Sequence, residues 1–433
     1  MTNLLLIDCH DLGQHLGCYG KSTVSSNNID QLAKDGVRFE NSFCTAPQCS
    51  PSRASLYTGR YPHNNGMLGL AHDPFSWRLH DDEVYLAKYL QDAGYETAHI
   101  GIQHVTDSHE ESVKSLGFNQ VLSGYLAPEI AKSAVEFLQG AHERPFFLNI
   151  GFFEPHRDAE GGFRVAPPDD TKGIALPSYI PDTPEAREEF SELQGMIKQM
   201  DIAVGAIITT LRQQDLLQDT WIIFTTDHGL AMPRAKCTMY DPGIETALVM
   251  FAPPLQIEGG HTFNQLISNV DLVPTILEGL QLPIPQTLQG KSHYKVLKGE
   301  EKDTVRDAIF AEKTFHTDYE PQRMIRTKHH KLIWNAEVDI INVPADIMHS
   351  PIYPQMIDAL TVERTPFELY DLQNDPNELQ NCAGNPDYAS IENDLRHRLL
   401  SWMQQTDDPL LDGPVSSPFY ARALRQLKAD VTL

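Results

Sequence analysis

Short apolar runs alternate with amphipathic segments along the first 300 residues. The runs are apolar at consecutive positions, which is typical of strands buried on both faces of a parallel sheet. The segments between them, such as 127–138 and 184–216, carry apolar residues at helical spacing. This alternation predicts an α/β fold in which a large, mostly parallel sheet is sandwiched by helices. The predicted strands are 3–7, 97–100, 146–152, 221–224 and 247–251.

The pattern changes after residue 300, where the apolar runs become shorter and half polar. Such runs are typical of antiparallel strands, and they are followed by a helical pattern. We therefore predict a large α/β domain over residues 1–300 and a small C-terminal subdomain over 301–433, built from an antiparallel sheet and a helix. The short runs are 309–311, 323–334 and 367–370, and the helical pattern covers 389–405.

The charge balance restricts the partners of this chain. It has 59 acidic and 34 basic side chains, a formal net charge of −25, so nucleic acid and anionic membranes would be repelled. No run of about 18 apolar residues predicts a membrane span, and no signal-peptide pattern precedes the first predicted strand. We therefore expect a cytoplasmic protein that binds neither nucleic acid nor membranes. Five of its six scattered cysteines are expected to be buried free thiols.

Carboxylates and imidazoles follow four of the predicted strands. In an open α/β sheet, ligands bind beyond the carboxyl ends of the strands, so these side chains are expected at one edge. Solvation alone does not explain four such groups, and we predict a functional site there. The residues are Asp8, His10 and Asp11 after the first strand, His104 after the second, Glu154 and His156 after the third, and Asp227 and His228 after the fourth.

The segment from Cys49 to Arg60 is the densest in residues that carry chemistry. Ser50 suits the N-cap of a helix, and Pro51 suits its first position. Cys49 would then lie at a helix N-terminus, where free N–H groups favour an anion, and Arg53 would lie one turn into the helix. From these residues alone, an ordinary capped helix with a buried cysteine remains the alternative.

This segment resembles the signature of the sulfatase family, which belongs to the alkaline phosphatase superfamily. The signature is Cys-x-Pro-Ser-Arg-x-x-x-x-Thr-Gly, and the chain matches each fixed position from Cys49 to Gly59. Residues 368–378 are similar to the C-terminal hallmark of the family, whereas 63–67 and 181–187 most resemble its heparan N-sulfatase (sulfamidase) branch. The resemblance therefore covers nearly the whole chain.

The resemblance implies a hydrolase of sulfate esters or sulfamates, with a small sulfated sugar as its substrate. In that family an activating enzyme oxidises the signature cysteine to formylglycine, and the hydrated aldehyde attacks sulfur. Cys49 is therefore the expected precursor of the nucleophile, and a formylglycine-generating or equivalent enzyme is an expected partner. The net charge favours a small sugar fragment over a long polyanion. Homo-oligomerisation stays open.

The resemblance also implies one divalent metal ion, usually calcium in this family. Its ligands correspond to Asp11, Asp227 and His228, together with the modified Cys49. Where the family usually has two adjacent aspartates after the first strand, this chain has His10-Asp11. Imidazole is a poor calcium ligand and suits a transition metal. His10 is therefore expected either to bind a transition metal or to lie behind the ligands of a calcium ion. In the second case Asp8 would compensate for the carboxylate that His10 replaces.

Further residues correspond to catalytic positions of the family. Two histidines match those near the nucleophile and the leaving group, a lysine matches the one that contacts the sulfate, and an arginine would stabilise the nucleophile. These residues are His104, His156, Lys236 and Arg53. One sulfate-binding lysine of the family is missing, because its Gly-Lys-x-His is here Gly101-Ile102-Gln103-His104. His63 is expected to line the substrate pocket, with a solvated turn as the alternative.

Two other functions remain open at this point. The first is a phosphodiester or phosphonate monoester hydrolase on the same scaffold, which also uses formylglycine; Ser52 before Arg53 favours sulfate over this function. The second is an inactive family member that binds glycans. His10 and the missing lysine support the second function, whereas Cys49 and Lys236 argue against it.

Overall fold

The computed structural model describes residues 2–339, 342–361 and 364–429. Its strands form two separate sheets. The larger sheet contains Asn3–Cys9 (β1), Val37–Phe43 (β2), Glu96–Gly101 (β3), Gln120–Leu122 (β4), Phe146–Gly151 (β5), Thr220–Thr226 (β6), Leu248–Phe251 (β7) and His261–Ser268 (β8). The smaller sheet contains Ala308–Phe315 (β9), Tyr319–Thr327 (β10), His330–Asn335 (β11) and Phe367–Asp371 (β12).

The larger sheet is mostly parallel and runs in the order β4-β3-β5-β1-β6-β7-β2-β8. The five strands from β4 to β6 are parallel to one another. β7 runs antiparallel to both of its neighbours, and β2 pairs in parallel with β8. The predicted fold class is thereby confirmed. β7 is the exception to the parallel arrangement, and its apolar sequence did not reveal its direction.

Helices flank both the larger sheet and the smaller, C-terminal sheet. They are Asn27–Asp35 (α1), Cys49–Thr58 (α2), Pro62–Asn65 (α3), Leu86–Asp92 (α4), Glu110–Ser115 (α5), Ala127–Leu138 (α6), Pro184–Gln213 (α7), Asp241–Ile244 (α8), Leu272–Gly279 (α9), Tyr294–Leu297 (α10), Ala345–Met348 (α11), Tyr353–Leu360 (α12), Ala389–Gln405 (α13) and Pro418–Ala429 (α14). Among the residues described above, each helix is too short or too polar to cross a membrane.

Alternate side chains of β1 enter two different cores. Leu5 and Ile7 pack with α1, α6 and α7 on one face of the sheet. Leu4 and Leu6 pack with α2, α4 and α9 on the other face. Because every residue of β1 is buried, this strand lies at the centre of the fold, and the residues that follow it are held in a fixed position.

The smaller sheet is antiparallel and runs in the order β12-β11-β10-β9, as predicted. One of its faces packs on residues of the larger unit such as Phe43 and Leu266. The other face is covered by α13 through Leu399 and Trp402. Polar residues of these strands are buried in ion pairs, as where Arg323 Nη2 donates to Asp408 Oδ1 at 2.9 Å. The proposed domain boundary at residue 300 stays a prediction.

A partly buried carboxylate gives a test of this fold that is independent of activity. Burial and the neighbouring Asp241 raise the pKa of Glu245 to about 7. The folded protein therefore binds a proton that the unfolded chain lacks between about pH 4.5 and 7, and stability falls as the pH rises through this window. We expect Glu245→Gln to match the wild type below pH 4.5. Above pH 7 it should be more stable by about 1 to 3 kcal/mol, since one pKa unit corresponds to about 1.4 kcal/mol.

Denaturant unfolding of both proteins at pH 4.5 and pH 8 measures this difference. A stability difference that does not change between the two pH values would contradict the assignment. Equal stability of the two proteins at pH 8 would contradict it as well.

Candidate active site

Four adjacent strands deliver the predicted site residues to one edge of the sheet. In the order β3-β5-β1-β6, these strands end next to one another at their carboxyl ends. His104 follows β3, His156 follows β5, His10 and Asp11 follow β1, and Asp227 and His228 follow β6. The predicted convergence therefore occurs, as expected for an open parallel sheet.

Cys49 is the first residue of α2, and the helix points its N-terminus at this edge. The N-cap residue is Gln48, which contributes no side-chain cap. The predicted N-cap, Ser50, lies instead in the first turn, where its Oγ accepts a hydrogen bond from Ala71 N at 3.1 Å. This correction moves the helix start by two residues, from residue 51 to residue 49. The thiol stays at the helix end that favours an anion.

The Cys49 thiol lies among cationic and imidazole groups. Its Sγ is 3.4 Å from His228 Nε2, and only 2% of the residue is exposed. Burial opposes ionisation, but the Lys236 ammonium and hydrogen bonds from neighbouring histidines hold the pKa of this thiol well below its ordinary value. The site therefore stabilises negative charge at position 49. The contributing histidines are His10, His104 and His156.

Asp11, Asp227 and His228 form a cluster that fits a divalent cation. With Cys49 Sγ, one ligand atom from each lies within 4.8 Å of the others. His228 Nε2 is 3.0 Å from Asp11 Oδ1 and 3.7 Å from Asp227 Oδ1. His228 Nδ1 is 3.0 Å from the carbonyl of Gly229, and a proton donated there leaves the Nε2 lone pair facing the carboxylates. Burial opposes the charged form of His228, but Asp227 and Asp11 raise its pKa well above the ordinary value, so the cluster favours positive charge at the place where a cation would bind.

His10 lies against the same cluster. Its Nδ1 is 3.0 Å from Asp227 Oδ2, but the two atoms lack hydrogen-bond geometry, and this buried nitrogen has no hydrogen-bond partner. Two ligands that each bind one ion at about 2.1 Å lie roughly 3 Å apart. The distance and the missing hydrogen bond fit two ligands of one ion. His10 also belongs to a second group of candidate ligands, with Asp11, Cys49 and His156, in which one ligand atom from each lies within 4.8 Å of the others.

Arg53 holds the Asp227 carboxylate in position by a hydrogen bond. Its Nε donates to Asp227 Oδ2 at 3.2 Å, and its Nη1 donates to Asp8. The same Asp8 carboxylate accepts a hydrogen bond from Tyr57. Asp8 therefore balances the buried guanidinium, and it does not belong to the cluster that fits a cation.

Lys236 joins three parts of the site. Its Nζ is 2.8 Å from Asp11 Oδ2, 2.8 Å from Asp346 Oδ2 and 3.4 Å from His156 Nε2. Burial opposes the charged form, but the two carboxylates raise the pKa of Lys236 well above its ordinary value, so the ammonium persists. Asp346 lies on α11, in a segment without a recognisable motif, and the sequence did not identify it. Lys236 thus holds a fixed positive charge beside position 49.

Comparison with known proteins agrees with this arrangement. Residues 2–282 match the sulfatase family, and residues 228–349 match the C-terminal region of N-sulphoglucosamine sulphohydrolase. The chain belongs to the sulfatase family. The predicted family and the predicted class of hydrolase are thereby confirmed. The human N-sulphoglucosamine sulphohydrolase is 29% identical to this sulfatase-family chain, over 95% of the chain and 92% of the human protein.

Two solved structures share the fold. One is a complex of a protein with its substrate D-glucosamine-2-N,6-O-disulfate; it has a TM-score of 0.72 and 20% identity, and the match covers 95% of this chain and 99% of the other. The second is the phosphonate monoester hydrolase of Agrobacterium radiobacter. It has a TM-score of 0.69 and 22% identity, and the match covers 94% and 96% of the two chains. At these identities the likeness establishes the fold.

His104 and two further histidines line the site of this sulfatase-family chain. Burial lowers the pKa of His104 to about 4 although Cys49 opposes this, so its imidazole is neutral near pH 7. His72 stacks on it with ring centroids 5.3 Å apart. Burial and the nearby Lys236 lower the pKa of His316 to about 4. His72 and His316 come from loops distant in sequence, and no motif marked them.

His63 lies apart from this group of residues. Its imidazole is fully buried, and its Nδ1 is 2.8 Å from Glu312 Oε1 in the smaller sheet. The ring also packs edge-on against Trp402. This setting excludes the alternative of a solvated turn and favours a structural role between the two sheets. Direct contact of His63 with a substrate stays a prediction.

Proposed function

We propose that this protein hydrolyses the sulfate ester or sulfamate of a small sulfated sugar, and that formylglycine made from Cys49 is its nucleophile. The observation that carries the proposal is the position of Cys49. It lies at a helix N-terminus, 3.4 Å from His228 and beside the Lys236 ammonium, in a setting that stabilises an anion. The relationship to the human N-sulphoglucosamine sulphohydrolase supports a sulfated sugar as the substrate.

Formylglycine supplies, as its aldehyde hydrate, one hydroxyl that attacks sulfur and a second that later expels sulfate. The neutral imidazole of His104 is suited to accept the proton from a hydroxyl at position 49. The conversion of Cys49 to formylglycine requires a formylglycine-generating or equivalent enzyme as a partner of this chain. The local charge of Lys236 and the helix N-terminus would stabilise the oxyanions of the transferring sulfuryl group.

His156 and Lys236 act at the leaving group in this proposal. His156 Nδ1 is 2.6 Å from the carbonyl oxygen of Arg157, which fixes the ring and directs Nε2 toward Lys236. A protonated Nε2 there can give its proton to the departing oxygen or nitrogen as the bond to sulfur breaks. Lys236 Nζ lies 3.4 Å from His156 Nε2, and its ammonium would bind a sulfate oxygen in this proposal.

Asp11, Asp227, His228 and His10 would hold the divalent cation. When bound, the cation lowers the repulsion between the sulfate and an anionic nucleophile. The family resemblance favours calcium, whereas the imidazole nitrogens of this chain favour a transition metal. We propose a transition metal because His10 Nδ1 is buried, lacks a hydrogen-bond partner and lies 3.0 Å from Asp227.

Elemental analysis of the purified protein should find one divalent transition metal ion per chain. Removal of the metal by a chelator should lower the melting temperature, because an ion that binds the folded protein and not the unfolded chain stabilises the folded state. His10→Asp restores the usual aspartate pair of the family and should shift the bound metal toward calcium. Stoichiometric calcium in the wild type would instead place His10 behind the ligands, and the absence of any bound metal would contradict the cation site.

A substrate panel tests the proposed function as a whole. It should include a glucosamine N-sulfate, O-sulfated monosaccharides, an aryl sulfate, a phosphodiester and a phosphonate monoester. We expect the highest kcat/KM for a sulfated sugar. Preference for a phosphodiester or phosphonate would favour the alternative function, for which the Asp227-His228 pair is the supporting observation.

A further inference from the structure

An aromatic pocket of about 210 Å³ lies beside the proposed active site. Its walls come from three distant parts of the chain, namely the loop that follows α3, the β9–β10 turn and the helix α14. They include Phe75, Trp77, Phe315, Tyr319 and Phe419. We refer to these five residues as the aromatic pocket.

The aromatic pocket lies next to the active site, and two paths of side-chain contact join them. On one path, Phe75 packs edge-on against His72 at 5.5 Å, and His72 stacks on His104 beside Cys49. On the other path, His316 lines the pocket and also lies near enough to Lys236 for that charge to lower its pKa. The aromatic pocket and the active site therefore share the wall formed by His72 and His316, which places the pocket where a neighbouring part of the substrate would lie.

Hydrogen bonds hold the helix α14 against the loop that follows α3. Arg422 Nη1 donates to Ser76 Oγ at 2.9 Å, and Arg422 Nη2 donates to the carbonyl of Pro74 at 2.7 Å. Phe419, one turn earlier on α14, lies edge-on to Phe75 with ring centroids 6.4 Å apart. Phe419 is 44% exposed, and the Arg422 guanidinium lies over its ring, so the remaining exposed part of the ring is the surface that a ligand can contact.

The chemistry of the pocket indicates its ligand. Flat aromatic rings pack on the C–H faces of sugars, and a few polar groups at the edge bind hydroxyls. Here the polar groups are Thr317, Asp318 and Ser417. Asp318 repels anions, and His316 can become cationic. Arg422 lies over the Phe419 ring at 4.6 Å, but both of its Nη groups already donate to Ser76 and Pro74. A neutral sugar ring fits this set better than a second sulfated or acidic ring.

We propose that the aromatic pocket binds a neutral sugar ring that is linked to the sulfated sugar in the active site. This inference rests on the proposed function and extends it, because it makes an oligosaccharide with at least two rings the preferred substrate. Phe419 is then a specificity residue at the second ring, and it takes no part in the chemistry at sulfur.

Phe419→Ala tests the proposal, with Tyr420→Ala as a matched control. Tyr420 is the neighbouring aromatic residue on α14; it is 60% exposed and does not line the pocket. The substrates are a sulfated glucosamine and the same sugar linked to a neutral hexose. We expect Phe419→Ala to lower kcat/KM about tenfold for the disaccharide, mainly through KM, and to leave the monosaccharide unchanged. Tyr420→Ala should change neither value.

Equal loss on both substrates, or no loss on the disaccharide, would overturn the proposal. A binding measurement separates this failure from failure of the proposed function. In saturation-transfer NMR with unsulfated cellobiose, the wild type and Tyr420→Ala should transfer saturation to the sugar C–H protons, and Phe419→Ala should not. Equal transfer in all three proteins, or none in the wild type, would contradict the aromatic pocket whether or not the protein hydrolyses sulfates.

Discussion

Cys49→Ala is expected to abolish turnover of sulfated sugars, with a loss on the order of 10⁴-fold or more in kcat. The methyl group of alanine cannot become an aldehyde hydrate, so neither the attack on sulfur nor the later release of sulfate can occur. The substitution removes a single heavy atom, the sulfur, from a buried position, and we expect the protein to stay folded. Steady-state kinetics on a sulfated monosaccharide, together with thermal unfolding, measure both effects.

Cys44→Ala is the matched control for this loss. Cys44 is also a fully buried thiol, but it packs in the apolar cluster under the smaller sheet. Burial raises the pKa of Cys44 to a value at which the thiol stays neutral. Its replacement should leave kcat within a small factor of the wild type. Full activity of Cys49→Ala would overturn the mechanism.

His156→Gln is expected to have the second largest effect, and this effect should depend on the leaving group. General acid catalysis contributes about 10² to 10⁴ in rate, and it matters most for poor leaving groups. We therefore expect a loss of this size for a sugar sulfate or sulfamate. For 4-nitrophenyl sulfate, whose phenolate leaves without protonation, the loss should be below about tenfold. The ratio of kcat/KM for the two substrates is the measurement.

His142→Gln is the control for this substitution. His142 precedes β5 at the opposite edge of the sheet, whereas His156 follows the same strand at the carboxyl end. His142 Nδ1 is 3.1 Å from Glu96, away from the residues of the proposed active site. His142→Gln should change kcat/KM for both substrates by the same factor, if at all. An equal loss on both substrates in His156→Gln would remove the proton-donor role from His156.

The sequence was sufficient for most of the fold, because the period of the apolar residues is set by burial. The helices 127–138 and 389–405 have the predicted bounds, and the central strands lie where the apolar runs predict. β8 was not predicted from the sequence because the first half of this strand is largely exposed and shows little alternation of apolar and polar residues. α14 was missed because it is amphipathic without a buried residue of its own. The direction of β7 depends on tertiary connections that no local pattern encodes.

The candidate site could be predicted as far as its residues follow strands or belong to the signature. Asp11, Asp227 and His228 meet at one edge because parallel strands end there. Asp346 and His316 enter from the C-terminal part of the chain, and only the packing of the two sheets brings them to Lys236. The role of Asp8 was left open by the sequence. Its hydrogen bond from Arg53 assigns it to charge balance.

The central claim is that residue 49 of the active protein is formylglycine. The most direct measurement is mass spectrometry of the peptide that carries residue 49, isolated from a preparation whose turnover has been measured and labelled with an aldehyde-specific reagent. The mass of formylglycine and its labelled adduct, in a fraction that rises with specific activity, is the predicted result. A fully active preparation in which this peptide carries only unmodified cysteine would contradict the account.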